Sequence, residues 1–511
     1  MLVSKRSTTD TCCLTLPLRL EKWQADRLAK RFEIARQIYN TLVRAELKKL
    51  VRLERISAYK DIQQQLYSLY RDGHQNSREY KVLFQKRRSL LTEAGIREYG
   101  FKSDIAKYYK HFHENIGSSV AVHCIASQVW CAFDKYLFHN GKQVHFKRAG
   151  DIRSLKGYSV SGKSGGTEII YRGTFIEWKG LRLPLKLDPD NRYEAEMLTK
   201  RVKYVRLLRT RGNHQDRWYA QLVLEGTPAV KHDAKTNALR HPIGHGAVGI
   251  DIGPQTIAYV AQDEAALMEL ANRVQNIERE KLLIQRKMDR SRRATNPDNY
   301  AVDGTIKRGV KLTRNKSKRY CTLQHRLAFI QSRQALIRKV QHTELANHLL
   351  SLGDRFYVEN MEWSSLTHRA SETAISEKTG RYKRKKRFGK SISNKAPATL
   401  IGILEQKCKS LGLPGVIKVP TKLCASQYNH MTDTREKKPL SQRWNDMPDG
   451  HRIQRDLYSA FLLQHVTPQE DGFDRPSLQR DYEKFVSLHD EVIRQLTLAP
   501  KTLSSMGIRR T

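Results

Sequence analysis

Asp251 stands in the middle of an apolar run. In "VGIDIGPQTIAYV" (248–260), Val248, Ile250 and Ile252 flank it, and Ile257, Ala258, Tyr259 and Val260 follow Gly253 and Pro254. The pattern predicts a buried strand, a tight turn and a second strand. A carboxylate in such a strand is costly unless a cation holds it. Asp251 therefore pairs with a buried base or binds a metal ion. Two further carboxylates occupy comparable places. Glu359 ends the apolar part of "RFYVENMEWS" (355–364), and Asp456 sits near the start of the helical "RIQRDLYSAFLLQHV" (452–466).

Glu359 follows Asp251 by 108 positions and Asp456 follows Glu359 by 97, so only the fold can bring them together. Three carboxylates do not ionise side by side without cations between them. Two divalent ions about 3.5–4 Å apart meet that need, activate a water and stabilise the leaving oxygen of a cleaved phosphodiester. Mg²⁺ suits an all-oxygen shell and a polyanionic substrate, with Mn²⁺ as its substitute. Each residue alone has a plainer reading. A buried Asp is commonly a salt-bridge partner, Glu359 can be a strand-end carboxylate met by a neighbouring helix, and Asp456 suits the first turn of its own helix. The set is stronger than its members.

The elements that must position these residues follow from periodicity. Residues 10–20 alternate as a strand does. Residues 21–150 are helical in period, with Leu28, Phe32, Ala35, Ile38 and Leu42 on one face. "SSVAVHCIASQVWCAFDKYLF" is another such helix. Its Cys124 and Cys131, seven apart, are expected as core thiols on one apolar face. Residues 150–245 turn to short strands, "TEIIYRG", "TFIEWKG", "KYVRLLRT" and "RWYAQLVLEG", expected to form a small barrel with the N-terminal strand. A charged helix from about 271, a second over about 316–351, the strand at 355, the helix "PATLIGILEQKCKSLG", the strand "GVIKVPT" and an irregular stretch over 422–450 complete the order.

The chain of 511 residues carries 93 Lys and Arg against 52 Asp and Glu, a net charge of +41. That balance favours a polyanion, and its spread along the chain favours nucleic acid over a membrane surface. No apolar window of about 18 residues is present, so no membrane span is expected. "MLVSKRSTTDTCCLTLPLRL" lacks the apolar core of a signal peptide, which points to an intracellular protein. The seven cysteines are scattered and form no CxxC pair, so neither a disulfide framework nor a zinc knuckle is written here.

"GIDIGPQTIAYV", "YVENM", "KAPATLIGILEQKCKSLG" followed by "TKLCASQYNH", and "IQRDLYSAFL" occur in this order. Together they resemble the RuvC nuclease segments of TnpB, the transposon-encoded RNA-guided nuclease, and of the compact type V CRISPR effectors. The resemblance is clearest over about 246–466. It implies a bilobed multidomain α/β protein: a ribonuclease-H-like RuvC nuclease domain (246–421 and 451–511), a helical recognition domain (21–149) and a β-barrel wedge domain (1–20 and 150–245). It assigns Asp251, Glu359 and Asp456 as catalytic residues and ligands of two Mg²⁺ ions. It implies a guide RNA, a double-stranded DNA target read beside a short flanking motif, and a monomeric ribonucleoprotein. Many relatives carry two CxxC pairs in the position of 422–450. Here only Cys424 remains, and with His430 and Asp433 it does not make a standard knuckle, so zinc is not expected. Packing of Tyr428 and Trp444 is expected to hold this insert, with Arg443 reaching the nucleic acid.

Two basic clusters are candidates for phosphate contacts. One includes Arg290, Arg292, Arg293, Arg314 and Lys318; the other is Arg381, Lys383, Arg384, Lys385, Lys386 and Arg387, with Tyr382 and Phe388 placed to stack on bases. Tyr39 and Asn40 lie where relatives use their first helix near the flanking-motif duplex. Two other readings stand beside the guided endonuclease. One is a guided DNA-binding protein that does not cut. The other is a guide-independent RuvC-type nuclease or transposase.

Overall fold

The computed structural model describes residues 9–139, 141–158, 168–212, 216–233, 235–368, 372–376, 380–382, 388–439, 441–500 and 502–508. The chain forms two compact units, Met1–Ala229 and Val230–Thr511. Among the described residues no helix is long and apolar enough to cross a membrane.

In the first unit, strand β1 (Thr11–Pro17) alternates strictly, with Cys12, Leu14 and Leu16 buried. Helix α1 (Lys22–Leu53) buries Leu28, Phe32, Ala35, Ile38 and Leu42, the stripe its 3.6-residue period lays down. Its start is fixed by a capping box between Glu21 and Gln24. Helices α2 (Ser57–Arg71) and α3 (Arg78–Glu93) pack on each other. Residues 118–138 are helical but not uniformly so. A π-helical stretch, Ala121–Ala126, runs into α4 (Ser127–Phe138). The wider π turn advances the phase by an extra residue, so seven positions no longer complete two turns. Cys124 is buried and Cys131 is exposed, which corrects the shared apolar face expected for them.

The remaining strands of this unit are β2 (Ser154–Tyr158), β3 (Ile169–Tyr171), β4 (Phe175–Trp178), β5 (Leu181–Pro184), β6 (Val202–Arg211) and β7 (Asp216–Glu225). They make a four-stranded sheet in the order β1-β7-β6-β2 and a three-stranded sheet β3-β4-β5. All ladders are antiparallel, and β1 pairs with β7 from Thr11↔Glu225 to Pro17↔Tyr219. Among the described residues no ladder closes these sheets into the expected barrel. The strands of the smaller sheet are three or four residues long, too short to carry the tilt and shear of closure.

The second unit is built on one five-stranded sheet. Its strands are β8 (Ala247–Ile252), β9 (Thr256–Val260), β10 (Ala265–Glu269), β11 (Arg355–Glu359) and β12 (Gly415–Val419), in the order β10-β9-β8-β11-β12. The first three form an antiparallel meander, and β8, β11 and β12 run parallel. Its longer helices are α5 (Glu278–Thr295), α6 (Lys318–Leu352), α7 (Pro397–Leu411), α8 (Arg455–Gln464) and α9 (Arg475–Leu498). Val248, Ile250, Phe356 and Val358 point to one side and share a core with Leu349 of α6 and Leu404 of α7. Tyr357 and Val419 share the other core with Leu457 and Phe461 of α8 and Phe485 of α9. Four two- or three-residue strands lie near α8: β13 (Tyr428–Asn429) pairs with β14 (Thr434–Arg435), and β15 (Trp444–Asp446) with β16 (Arg452–Gln454).

Candidate active site

Period-two alternation decides where the first two carboxylates go. Ile250 and Ile252 face the α6 and α7 core, so Asp251 between them faces α8. Val358 faces the same core, so Glu359 also turns to α8. The two strands are parallel neighbours in the register Val358↔Ile250, which sets Glu359 and Asp251 at the next step along adjacent strand ends. Helix α8 crosses this face. Gly249 makes the crossing close, because a Cβ there would stand 1.9 Å from the Ala460 carbonyl oxygen. Asp456 lies in the first turn of α8. Three segments distant in the sequence are thus brought to one place.

Asp251 keeps some surface, yet protein atoms crowd its carboxyl group. Loss of hydration raises its pKa well above the usual carboxylate value, and the charges of Asp456 and Glu359 raise it further. The Arg455 guanidinium and the Ser459 hydroxyl act in the opposite direction and do not cancel the rise. Burial also raises Glu359, while the backbone N–H of Ala425 lowers it. Asp456 has guanidinium neighbours, Arg455 Nε at 3.6 Å and Arg443 Nη1 at 3.9 Å.

The residues that set Asp456 in place were not legible in the sequence. Gln454, fully buried, caps α8: its side-chain oxygen accepts the N–H groups of Asp456 (2.7 Å) and Leu457 (2.9 Å). Its amide nitrogen faces the Asp456 carboxylate (3.4 Å) and donates to the Met506 carbonyl (3.2 Å). Its backbone N–H is received by His489 Nε2 at 2.9 Å. The apolar period of 452–466 suggested a helix throughout, but the helix begins only at Arg455 because Gln454 is its cap.

The donors of this cluster are three carboxylates with no nitrogen or sulfur ligand, the set a hard divalent cation takes. Two of the three, Asp251 and Glu359, are raised, and burial is the first cause for each. Among the described residues no three His, Cys, Asp or Glu side chains converge tightly enough to enclose a metal ion as they stand. The chemistry of the donors fits the metal; the side chains would still have to turn inward around it.

The segment 422–450 touches this cluster twice, through the Ala425 N–H on Glu359 and through Arg443 beside Asp456. Tyr428 stacks on Phe473 with ring centroids 5.0 Å apart, and the Trp444 indole donates to the Gly507 carbonyl at 2.8 Å. Cys424, His430 and Asp433 each have another partner. The Cys424 thiol bonds the Thr421 carbonyl, Asp433 receives the Tyr428 hydroxyl, and His430 Nδ1 lies 2.7 Å from the Tyr458 hydroxyl.

One of the two contacts expected on α1 is corrected. Tyr39 is 2 % exposed, one turn from Ala35 and Leu42 on the buried stripe of α1, so its ring is core. Both ends of the Asn40 amide are taken by the backbone of Lys147. Arg290, Arg314 and Lys318 are exposed. Arg292 and Arg293 are exposed but pair with Asp289, and Arg293 also covers the Tyr300 ring at 4.7 Å. The loop between α5 and α6 is pinned by two buried side chains. Asn296 bonds the backbone of Asn315, and Asn299 that of Thr313. Arg381 and Tyr382 are exposed. Lys383, Arg384, Lys385, Lys386 and Arg387 lie outside the described residues.

No protein-family model and no curated protein matches this chain. Among solved structures it is similar to that of a Cas12f1–sgRNA–target DNA complex, at 14 % identity and a TM-score of 0.40, over 90 % of this chain and 99 % of that one. It is also similar to a CRISPR-Cas12f ternary complex, at 13 % identity and a TM-score of 0.23, over 88 % of this chain and 86 % of that one.

Proposed function

We propose that this protein is an RNA-guided DNA endonuclease of RuvC type. The observation that carries the proposal is the placement of Asp251 and Glu359 at adjacent ends of parallel strands, on the sheet face that α8 crosses, with Asp456 in the first turn of α8. A fold gains nothing in stability by gathering like charges there. Phosphodiester hydrolysis at a divalent centre gives the arrangement a purpose. The sheet order, with carboxylates at the ends of its two central parallel strands, supports the ribonuclease-H-like reading.

In this reading Asp251, Glu359 and Asp456 hold two Mg²⁺ ions, which when bound supply an activated water and stabilise the leaving oxygen. The chain's own part is positioning. Gln454 fixes the direction of the Asp456 carboxylate. Arg455, buried beside the cluster, offsets part of its charge. Arg443, partly exposed, stands at the rim where a scissile phosphate would enter. The unit 1–229 then supplies the recognition and wedge functions, and 422–450 forms the edge of the nuclease site.

Guide dependence rests on the resemblance of the motif segments and on the dispersed net charge of +41, which suits a protein that holds a heteroduplex by its backbone. The test is to purify the protein from its native locus and sequence the RNA that accompanies it. One enriched RNA with a constant scaffold and a variable end supports the proposal, and Mg²⁺-dependent cutting of the matching DNA completes it. Cutting without any RNA would favour a guide-independent nuclease. Guided binding with no cutting by the unmodified protein would favour a targeting factor.

A further inference from the structure

A separate surface lies on α1, in the first unit. Arg44, Lys48 and Arg52 recur every four residues, so they share a face, and Arg55 follows just beyond the helix end. The row spans about 16 Å at the helical rise. All four side chains are exposed, and among the described residues none forms an ion pair. They border an open groove of about 450 Å³ that Leu47, Val51 and Phe146 also line.

Phe146 is 48 % exposed, and its position is fixed. The next residue, Lys147, gives its N–H to Asn40 Oδ1 (2.8 Å), and its carbonyl receives Asn40 Nδ2 (2.9 Å) and the Arg36 guanidinium (3.2 Å). The Lys147 ammonium lies over the Tyr39 ring at 5.4 Å. Asn40 precedes Arg44 by one turn of α1. Its amide therefore holds the backbone next to an exposed aromatic ring, beside a row of cations that form no ion pair among the described residues.

A lone exposed ring gains from a flat π partner, and a cation row from regularly spaced anions. One polymer offers both at matching intervals, a polynucleotide strand with its bases unpaired. A duplex keeps its bases stacked inside and leaves the ring unused. We propose that this groove binds single-stranded nucleic acid, with one base stacked on Phe146 and the phosphates along Arg44, Lys48, Arg52 and Arg55. The proposal rests on the nucleic-acid-binding part of the function above and not on cleavage.

The test is ultraviolet crosslinking of the full chain, cleared of co-purifying nucleic acid in high salt. The probes are about twelve nucleotides long: single-stranded RNA, single-stranded DNA of the same sequence, and a duplex. Mass spectrometry locates the crosslinked peptide. The expected crosslink is at Phe146 with a single strand. It is lost in Phe146→Ala, kept in Phe146→Trp and unchanged in Asp251→Ala. Affinity for the preferred strand should fall about tenfold in Phe146→Ala, within the range for one base–aromatic stack. Replacing Arg44 and Arg52 by Ala should lower the salt slope of log K by about 1.4. Crosslinking by RNA alone assigns the groove to RNA, and by DNA alone to an unpaired DNA strand. No crosslink at Phe146 with either strand, or an equal crosslink with the duplex, overturns the proposal. A Phe146 crosslink in a protein that fails to cut matching DNA once its own RNA and Mg²⁺ are restored leaves the groove standing and removes the nuclease reading.

Discussion

The side-chain oxygen of Gln454 accepts the backbone N–H of Asp456 at 2.7 Å, while the nitrogen of the same amide faces the Asp456 carboxylate at 3.4 Å. One residue both starts the helix and aims the carboxylate it carries. Gln454→Ala removes a cap worth about 0.5–2 kcal/mol and frees the carboxylate to rotate. The single-turnover cleavage rate at saturating DNA should fall about 10–100-fold, the cost of a small misplacement, with DNA affinity unchanged. A rate loss matched by an equal loss of affinity would mean that Gln454 acts only on the fold.

Asp251→Asn separates function from stability. The folded carboxyl is raised above 3.8, chiefly by lost hydration and then by Asp456 and Glu359. The folded protein thus keeps a proton that the unfolded chain has released. This contribution is fully present below 3.8 and is lost as pH rises through the folded value. Without divalent ions, the melting temperature of Asp251→Asn should decline less than the parent's as pH rises, and exceed it at neutral pH. Mg²⁺ should raise the parent's melting temperature more than the variant's. Cleavage by the variant should be abolished.

Gly249→Ala tests the closeness of the α8 crossing. The added Cβ would lie 1.9 Å from the Ala460 oxygen and 2.4 Å from the Gln464 nitrogen, both backbone atoms. Helix α8 must move, at a cost of about 1–3 kcal/mol for overpacking, and Asp456 moves with it. Both the melting temperature and the cleavage rate should drop. Native melting with native cutting would contradict the crossing described.

His430 should govern part of the acid limb. Burial, then the charge of Arg475, lowers its imidazole from 6.5 to about 4. Below 6.5 the unfolded chain takes up a proton that the folded protein refuses, so stability present above 6.5 is lost as pH falls toward 4. His430→Phe removes that titration. Its melting temperature should fall less steeply between these values, with a remaining slope from His342 and His489, which burial also lowers.

What the sequence disclosed was mostly local. Strict apolar spacing around Asp251 is enough to predict a buried strand, and β8 and β9 cover its two halves. The stripe from Leu28 to Leu42 likewise predicts α1. Non-local facts stayed hidden. Alternation says that a strand has two faces but not which strand lies beside it, so a barrel was expected where, among the described residues, two sheets stand joined at one edge by the Leu18↔Leu185 bridge. A cap by Gln454 is hard to read because Gln is not among the usual N-cap residues. The π turn at Ala121–Ala126 has no sequence mark, and beyond it Cys131 is exposed. Tyr39 shows the reverse error, in which an α1 position suggested a contact although the helix period had already placed the ring in the core.

The carboxylates also arrive in sequence during synthesis. Asp456 follows Asp251 by 205 residues. At about 5–20 residues per second, the ribosome adds the third carboxylate roughly 10–40 s after the first. Until α8 can dock over Gly249, the growing chain carries its sheet and two acids without the third. On the proposed function, a nascent protein of this design gains its capacity to cut only when the last of its three acids is in place.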